Sequence, residues 1–119
     1  EWPCLSVDIV RDSLGFQREK FPHTLYFVAG TQADQEGSNR IYLMRLSDIN
    51  TLPEDADEDA MSDDDVEDPN LDVVSVKHVG GVNRIRSMPQ HPHVVCTWAD
   101  TGKVHLWSLA SQQKALEGV

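Results

Sequence analysis

VVCTWADTGKVHLWSL, at residues 94–109, is the stretch of sequence that decides the fold. Both of its halves are rich in β-branched and aromatic residues, which favour strands. Between them, Asp100, Thr101 and Gly102 are typical of a tight turn, because Asp and Gly tolerate the backbone conformations that turns require. The stretch therefore predicts two antiparallel strands joined by a short turn.

The same pattern occurs earlier in the chain. Three segments recur: 5–10 as 82–87, 28–34 as 94–100, and 41–46 as 104–109. Residues 72–78 add a fourth strand to the first unit. Because repeated four-strand units are typical of a β-propeller, we predict an all-β fold: a partial propeller of about two four-stranded antiparallel blades. No helix is predicted, since residues 111–116 tolerate a helix but form too short a segment to be stable alone.

These patterns divide the chain into five parts. We place the first three strands of the first blade at 1–52, an acidic disordered insert at 53–71, the fourth strand at 72–80, three strands of a second blade at 81–110, and a tail at 111–119. The chain does not begin with Met, so we expect further sequence upstream.

The negative charge is concentrated in the insert. Residues 54–72 contain 11 acidic residues and no basic one, whereas the rest of the chain has nine acidic and ten basic residues. Such a dense run of like charges repels itself, which predicts disorder. It attracts basic proteins and repels nucleic acid. The candidate client-binding carboxylates are Glu54, Asp55, Asp57, Glu58, Asp59, Asp63, Asp64, Asp65, Glu67 and Asp68.

Ser62 lies within this acidic run. Three aspartates follow it directly, a pattern that suits an acid-directed kinase. We therefore predict that Ser62 is phosphorylated, which would add more negative charge to the insert.

Several other functional classes find no support in the sequence. There is no apolar run of 18 residues, so no membrane span is predicted, and there is no secretory signal. No glycine-rich phosphate loop and no Gly-x-Ser-x-Gly elbow is present. Carboxylates in a flexible tract cannot hold the fixed geometry that acid–base catalysis needs. We therefore predict a protein that is not an enzyme and has no cofactor.

The histidines and cysteines raise a zinc hypothesis. His91, His93, Cys96 and His105 are ligand types for zinc, but their spacing is poor and no Cys-x-x-Cys motif accompanies them. We expect solvated loop histidines and no metal. The two cysteines, Cys4 and Cys96, are too few for a disulfide scaffold, and we expect both to be small buried hydrophobes.

The second unit resembles a WD repeat. His78 precedes a glycine pair, Thr97 lies on an inner strand, Asp100 lies in the following turn, and Trp107-Ser108 stands at the Trp-Asp position. This resemblance implies a buried structural set in which the Trp107 indole, the Thr97 hydroxyl, His78 and Asp100 are hydrogen-bonded in series. The first unit has Met44 in place of the tryptophan, so we expect a degenerate blade held mainly by apolar packing.

A more specific resemblance covers essentially the whole chain. Its most distinctive segments are EWPCLS at 1–6, VDIVRD at 7–12, AGTQA at 29–33 and GVNRIRSMPQ at 81–90. Together with the acidic insert, they resemble the histone-binding retinoblastoma-binding/chromatin-assembly group of WD-repeat proteins, and within it the glutamate-rich, ribosome-assembly branch. The resemblance implies a seven-bladed propeller in the nucleus and nucleolus. A helix before the Trp-Pro motif and about five blades are missing, so we expect an N-terminal fragment.

Two hypotheses of function remain open, and a third has weaker support. The first is a non-catalytic scaffold or chaperone for basic nuclear clients, a ribosomal protein and/or histones, with no direct contact to nucleic acid or membrane. The alternative is a substrate adaptor of a ubiquitin ligase, because many propellers have that role. A metal-dependent hydrolase rests only on the histidines.

Overall fold

The computed structural model describes residues 2–12, 23–50 and 68–118. Its elements, in chain order, are β1 Cys4–Val10, β2 His23–Thr31, a 3₁₀ turn Glu36–Ser38, β3 Arg40–Ile49, β4 Asn70–Lys77, β5 Val82–Met88, β6 His91–Ala99, β7 Val104–Ser108 and α1 Ala110–Glu117. The seven strands within these ranges agree in number and order with those predicted.

The strands form two antiparallel sheets. The first sheet has the order β1-β2-β3-β4 and the second has the order β5-β6-β7. This arrangement confirms the predicted all-β architecture of partial blades. One boundary differs, because β4 begins at Asn70 and pairs its first residue with Ser47. Residues 70 and 71 thus belong to the strand, whereas the predicted disorder of 53–67 concerns residues outside the described ranges.

The core lies between the two sheets. Val28 and Ile41 of the first sheet and Val82, Ile85 and Val95 of the second are at most 1% exposed. Alternation along each strand places these side chains on the facing surfaces. The approach is closest at β2, where a Cβ on Gly30 would collide with the Val82 side chain. The glycine therefore lets the two sheets pack in direct contact.

The edge strands β1 and β5 are joined by side chains. Ser6 Oγ accepts the Ile85 N–H at 3.0 Å, and Asp8 Oδ2 accepts the Ser87 N–H at 2.8 Å. Unpaired backbone donors on an edge strand are costly when they are buried. The two polar side chains of β1 therefore satisfy β5 and set its position against the first sheet.

Each sheet also has a second apolar face that is exposed. In the first sheet Val7 is 52% exposed and Val73 is 45% exposed; in the second, Trp98 is 54% exposed and Leu106 is 76% exposed. Two apolar faces per sheet are what a blade stacked between neighbours requires.

Helix α1 corrects the sequence analysis, which predicted no helix. The segment is eight residues long, too short to be stable on propensity alone. Its stability comes from packing, because Leu116 is 1% exposed. In addition, Arg45 on β3 donates a hydrogen bond to the Leu116 carbonyl at 2.7 Å. The helix thus connects the end of the second sheet to the first.

Candidate functional site

Three of the four residues in the predicted structural set form one hydrogen-bond chain. Trp107 Nε1 donates to Thr97 Oγ1 at 3.0 Å, and His78 Nε2 lies 3.0 Å from the same hydroxyl oxygen. His78 Nδ1 lies 2.8 Å from the Gly80 carbonyl oxygen. His78 and Thr97 are fully buried, and Trp107 is half-buried. We name these three side chains and the Gly80 carbonyl the His78 chain.

Asp100 does not belong to the His78 chain, contrary to the prediction. It is exposed, and its backbone N–H donates to the Gly81 carbonyl at 2.9 Å. Its carboxylate lies against the glycine pair, where a Cβ on Gly80 would be 2.7 Å from Oδ1. Gly80 has φ +85°, a conformation that favours glycine, and its carbonyl takes the place expected for the aspartate.

Burial keeps His78 neutral. Desolvation is the largest cause that lowers the pKa of His78, and His105 lowers it further. The hydrogen bond to Gly80 and the charge of Asp100 act in the opposite direction. The net result is a pKa below the usual value for histidine.

The first sheet has a buried polar cluster of its own, which the sequence analysis did not predict. Thr31 Oγ1 donates to Asn39 Oδ1 at 3.1 Å and accepts the Arg40 N–H at 2.9 Å. Asn39 Oδ1 also accepts the Ala33 N–H at 2.7 Å, and its amide donates to the Glu36 carbonyl at 3.2 Å. The expectation of mainly apolar packing thus missed a network that fixes the link between β2 and β3.

An acidic cavity lies where the insert leaves the first sheet. The cavity has a volume of about 700 Å³, and the last residues of β3 and the first of β4 contribute to its wall. Its lining residues are Asp12, Thr24, Tyr26, Arg45, Ser47, Asp48, Asn70, Leu71, Asp72 and Glu117. Four carboxylates therefore face one cation. We name this region the acidic end.

The one cation of the acidic end is already engaged. Arg45 forms an ion pair with Asp72 at 2.9 Å. The hydrogen bond to Asp72 is the largest cause that raises the pKa of Arg45. Asp48 accepts a hydrogen bond from the Asn70 amide, which ties the start of β4 to the end of β3. Of the predicted client-binding carboxylates, Asp68 is described and exposed. The other nine and Ser62 lie outside the described residues.

The histidines proposed as zinc ligands lie on strands and not in solvated loops. His91 and His93 belong to β6, and His105 belongs to β7. His105 is half-buried, with its ring centroid 5.5 Å from that of His78. Among the described residues no three His, Cys, Asp or Glu side chains are placed to hold a metal ion. Cys4, expected to be buried, is exposed, and Cys96 is half-buried.

Comparison with known proteins identifies the family. Residues 1–50 match the family model that describes the histone-binding protein RBBP4 and a component of the CAF1 complex. Over 98% of its length the chain is 44% identical to "Glutamate-rich WD repeat-containing protein 1" of Dictyostelium discoideum. The chain belongs to the glutamate-rich WD-repeat family. The resemblance proposed from the sequence motifs is thereby confirmed.

Two other relatives support membership of the glutamate-rich WD-repeat family. "Protein HEAT STRESS TOLERANT DWD 1" of Arabidopsis thaliana is 44% identical over 97% of the chain. "Ribosome assembly protein rrb1" of Schizosaccharomyces pombe is 37% identical over 98% of the chain. The chain spans 26% to 29% of the length of these three relatives. Within the described ranges, no helix has the length and apolar character needed to span a membrane.

Sequence reasoning missed two features of the site. The acidic end combines residues from β2, β3, β4 and α1, which are far apart in the chain. No local pattern indicated that they would meet. The Gly80 carbonyl was also missed, although the glycine pair that closely follows His78 was a usable signal, because glycine permits the turn that brings the carbonyl back to the ring.

Proposed function

We propose that the chain is a non-catalytic interaction module that binds basic nuclear proteins, a ribosomal protein and/or histones, during ribosome assembly. The names of its relatives and the description of its family model support this role. On the same grounds we place it in the nucleus and, more specifically, the nucleolus.

The observation that carries the proposal is the continuity of negative charge between the insert and the fold. Residues 54–72 contain 11 acidic residues. The insert connects β3 to β4, so both of its ends emerge beside the acidic end with its four carboxylates. Because the cation there is paired with Asp72, the local charge stays negative. Insert and acidic end together offer one extended surface for lysine and arginine side chains.

Such a surface predicts binding that depends strongly on salt. Exposed charges are screened beyond a Debye length of about 8 Å at physiological ionic strength. A client held mainly by charge is therefore captured at low salt and released at high salt. Shape-specific docking would show a weaker dependence.

A binding titration of the full chain tests the proposal. The probe is a lysine-rich histone tail peptide, with an acidic peptide of equal length as a negative control. The variant D63N/D64N removes two charges from the insert, and we expect it to weaken binding by about threefold to tenfold, since exposed charge pairs contribute about 0.2–1 kcal/mol each.

The matched control separates location from net charge. D34N/E36Q also removes two carboxylates, but they lie in the link between β2 and β3, at the opposite end of the first sheet from the insert. We expect nearly unchanged affinity. Equal weakening by both variants, or affinity independent of salt, would contradict the proposal. Capture of a ubiquitin-ligase scaffold in place of basic proteins would favour the adaptor hypothesis.

A further inference from the structure

The His78 chain has no part in the proposed binding surface, yet it joins the two sheets. We propose that it is an acid-sensitive latch, which holds the second sheet against the first only while the His78 ring is neutral.

The positions of the hydrogens in the chain follow from its partners. The Gly80 carbonyl can only accept, so the His78 Nδ1 atom, 2.8 Å away, carries the ring hydrogen. The Trp107 indole can only donate, so it donates to Thr97 Oγ1. In a neutral ring Nε2 is then an acceptor, and the Thr97 hydroxyl donates to it across 3.0 Å. Every donor and acceptor is matched in this one arrangement.

Protonation of the ring breaks the match. A proton on Nε2 would place two donors, this N–H and the Trp107 indole, against the Thr97 oxygen. The hydroxyl hydrogen of Thr97 would then have to leave the histidine, in a site where Thr97 is fully buried. An unmatched buried polar group is costly. Gly80 also offers a neutral carbonyl where a carboxylate would have supported a positive ring.

His78 occupies the position of a latch because it contacts both sheets. It directly follows β4 of the first sheet, and its backbone N–H donates to the Asn39 carbonyl at 3.0 Å. Its ring meets β6 through Thr97 and β7 through Trp107, whose ring centroid is 5.5 Å away. A change in the charge of the ring therefore acts on the junction between the sheets.

Two titratable groups act on His78 from the neighbouring elements. His105 on β7 disfavours a positive ring. Asp100, in the turn after β6, favours one, but it is exposed and therefore screened by water. The contact from the first sheet is the uncharged Asn39 carbonyl. These surroundings agree with a pKa of His78 below its ordinary value.

The direction of the pH effect follows from that lowered pKa. An unfolded histidine takes up a proton near pH ~6.5. Below that pH the unfolded chain binds a proton that the folded chain does not, so stability falls as pH falls. Above about pH 6.5 the contribution of His78 to stability is complete. Within the sensitive window, the unfolding equilibrium constant gains up to about tenfold for each pH unit of acidification.

Urea unfolding of the full chain between about pH 7.5 and pH 5 tests the latch, because this range spans the ordinary pKa of histidine. Three proteins are compared: wild type, H78Q, and H91Q, which removes an exposed histidine outside the His78 chain. We expect wild type and H91Q to show the same acid-dependent loss of stability. H78Q should be less stable at the upper end of the range and should lack the part of the pH dependence that wild type and H91Q share.

A second measurement keeps the proposal testable if H78Q does not fold. Nitrogen NMR of ¹⁵N-histidine-labelled wild type reports which ring nitrogen carries hydrogen. We expect the Nδ1–H form for His78, persisting below the pH at which His91 titrates. An Nε2–H form, a His78 that titrates at or above about pH 6.5, or equal pH dependence in H78Q and wild type would overturn the proposal.

Discussion

Thr31 in the first sheet and Thr97 in the second are both fully buried near the end of the second strand of their sheet, yet their partners differ. Thr31 bonds Asn39 and the Arg40 N–H, which are eight and nine residues away. Thr97 bonds Trp107 and, across 19 residues, His78. The first cluster is local to one connection within a sheet, whereas the second joins the two sheets.

This difference separates two ways of satisfying the same buried hydroxyl. In the first sheet most partners are backbone groups within one turn, so the cluster fixes a local conformation. In the second sheet the partners are aromatic rings from separate strands, so the chain fixes tertiary packing. We therefore expect substitutions in the second cluster to reduce global stability more than equivalent changes in the first.

The largest expected effect follows from the loss of the Trp107 side chain. The ring packs against the core and supplies the N–H that begins the His78 chain. Trp107→Ala should lower the free energy of unfolding by about 3 kcal/mol, the lower part of the range for large-to-small aromatic substitutions, because the ring is half-buried. Met44→Ala, at the equivalent position of the first sheet, should cost less in the same urea titration. A larger loss for Met44→Ala would contradict the comparison.

The contact between the sheets is tested at Gly30. An added methyl group would collide with the Val82 side chain across the core. We expect Gly30→Ala to destabilise by about 1–3 kcal/mol, as overpacking generally does. Gly37→Ala is the control, because nothing lies within 4 Å of the position of its Cβ. Thermal unfolding of both variants checks the expectation, and equal melting temperatures would argue against close packing of the sheets.

The two threonines themselves give a smaller, paired test. Thr97→Val leaves the Trp107 indole and the His78 ring without their shared partner and should cost about 2 kcal/mol. Thr31→Val leaves chiefly the Arg40 N–H unsatisfied, because Asn39 Oδ1 keeps the Ala33 N–H, and should cost about 1 kcal/mol. Thr→Ser at each position keeps the hydroxyl and serves as the control. If both valine variants lost the same stability, the distinction between the clusters would fail.

Removing the insert should barely change stability. Deleting residues 53–69 shortens the connection between β3 and β4, and a shorter loop costs less entropy to close. We expect the free energy of unfolding to stay within about 1 kcal/mol of wild type, while binding of the histone tail peptide is strongly reduced. Unchanged affinity at low salt would show that the insert is not the binding segment.

The smallest effect is expected from phosphorylation of Ser62. A phosphate adds about −1.5 to −2 charges at neutral pH, beside a segment that is already acidic. Its influence on stability should be negligible, and affinity for the basic peptide should rise by a small factor. Mass spectrometry of the protein purified from nuclei checks for the modification. Absence of phosphate on Ser62 under all growth conditions would argue against it.

Strand number, strand order and the division into two units could be predicted, because alternation of apolar residues and turn-forming residues is a local property of the chain. The pairing of Thr97 with Trp107 could also be predicted, since a short turn places their strands side by side. Helix α1 could not. Its stability depends on the burial of Leu116 and on Arg45, which is 71 residues away from Leu116 in the sequence.

The sequence by itself determined the all-β fold, the family and the separation of acidic charge from a nearly neutral fold, because these depend on residue type and spacing. Only the tertiary structure decided that the Gly80 carbonyl, and not Asp100, completes the His78 chain. It also decided that four carboxylates from separate parts of the chain meet where the insert begins and ends. Both outcomes depend on the directions of backbone and side-chain groups in three dimensions, which are fixed only when the two sheets pack together.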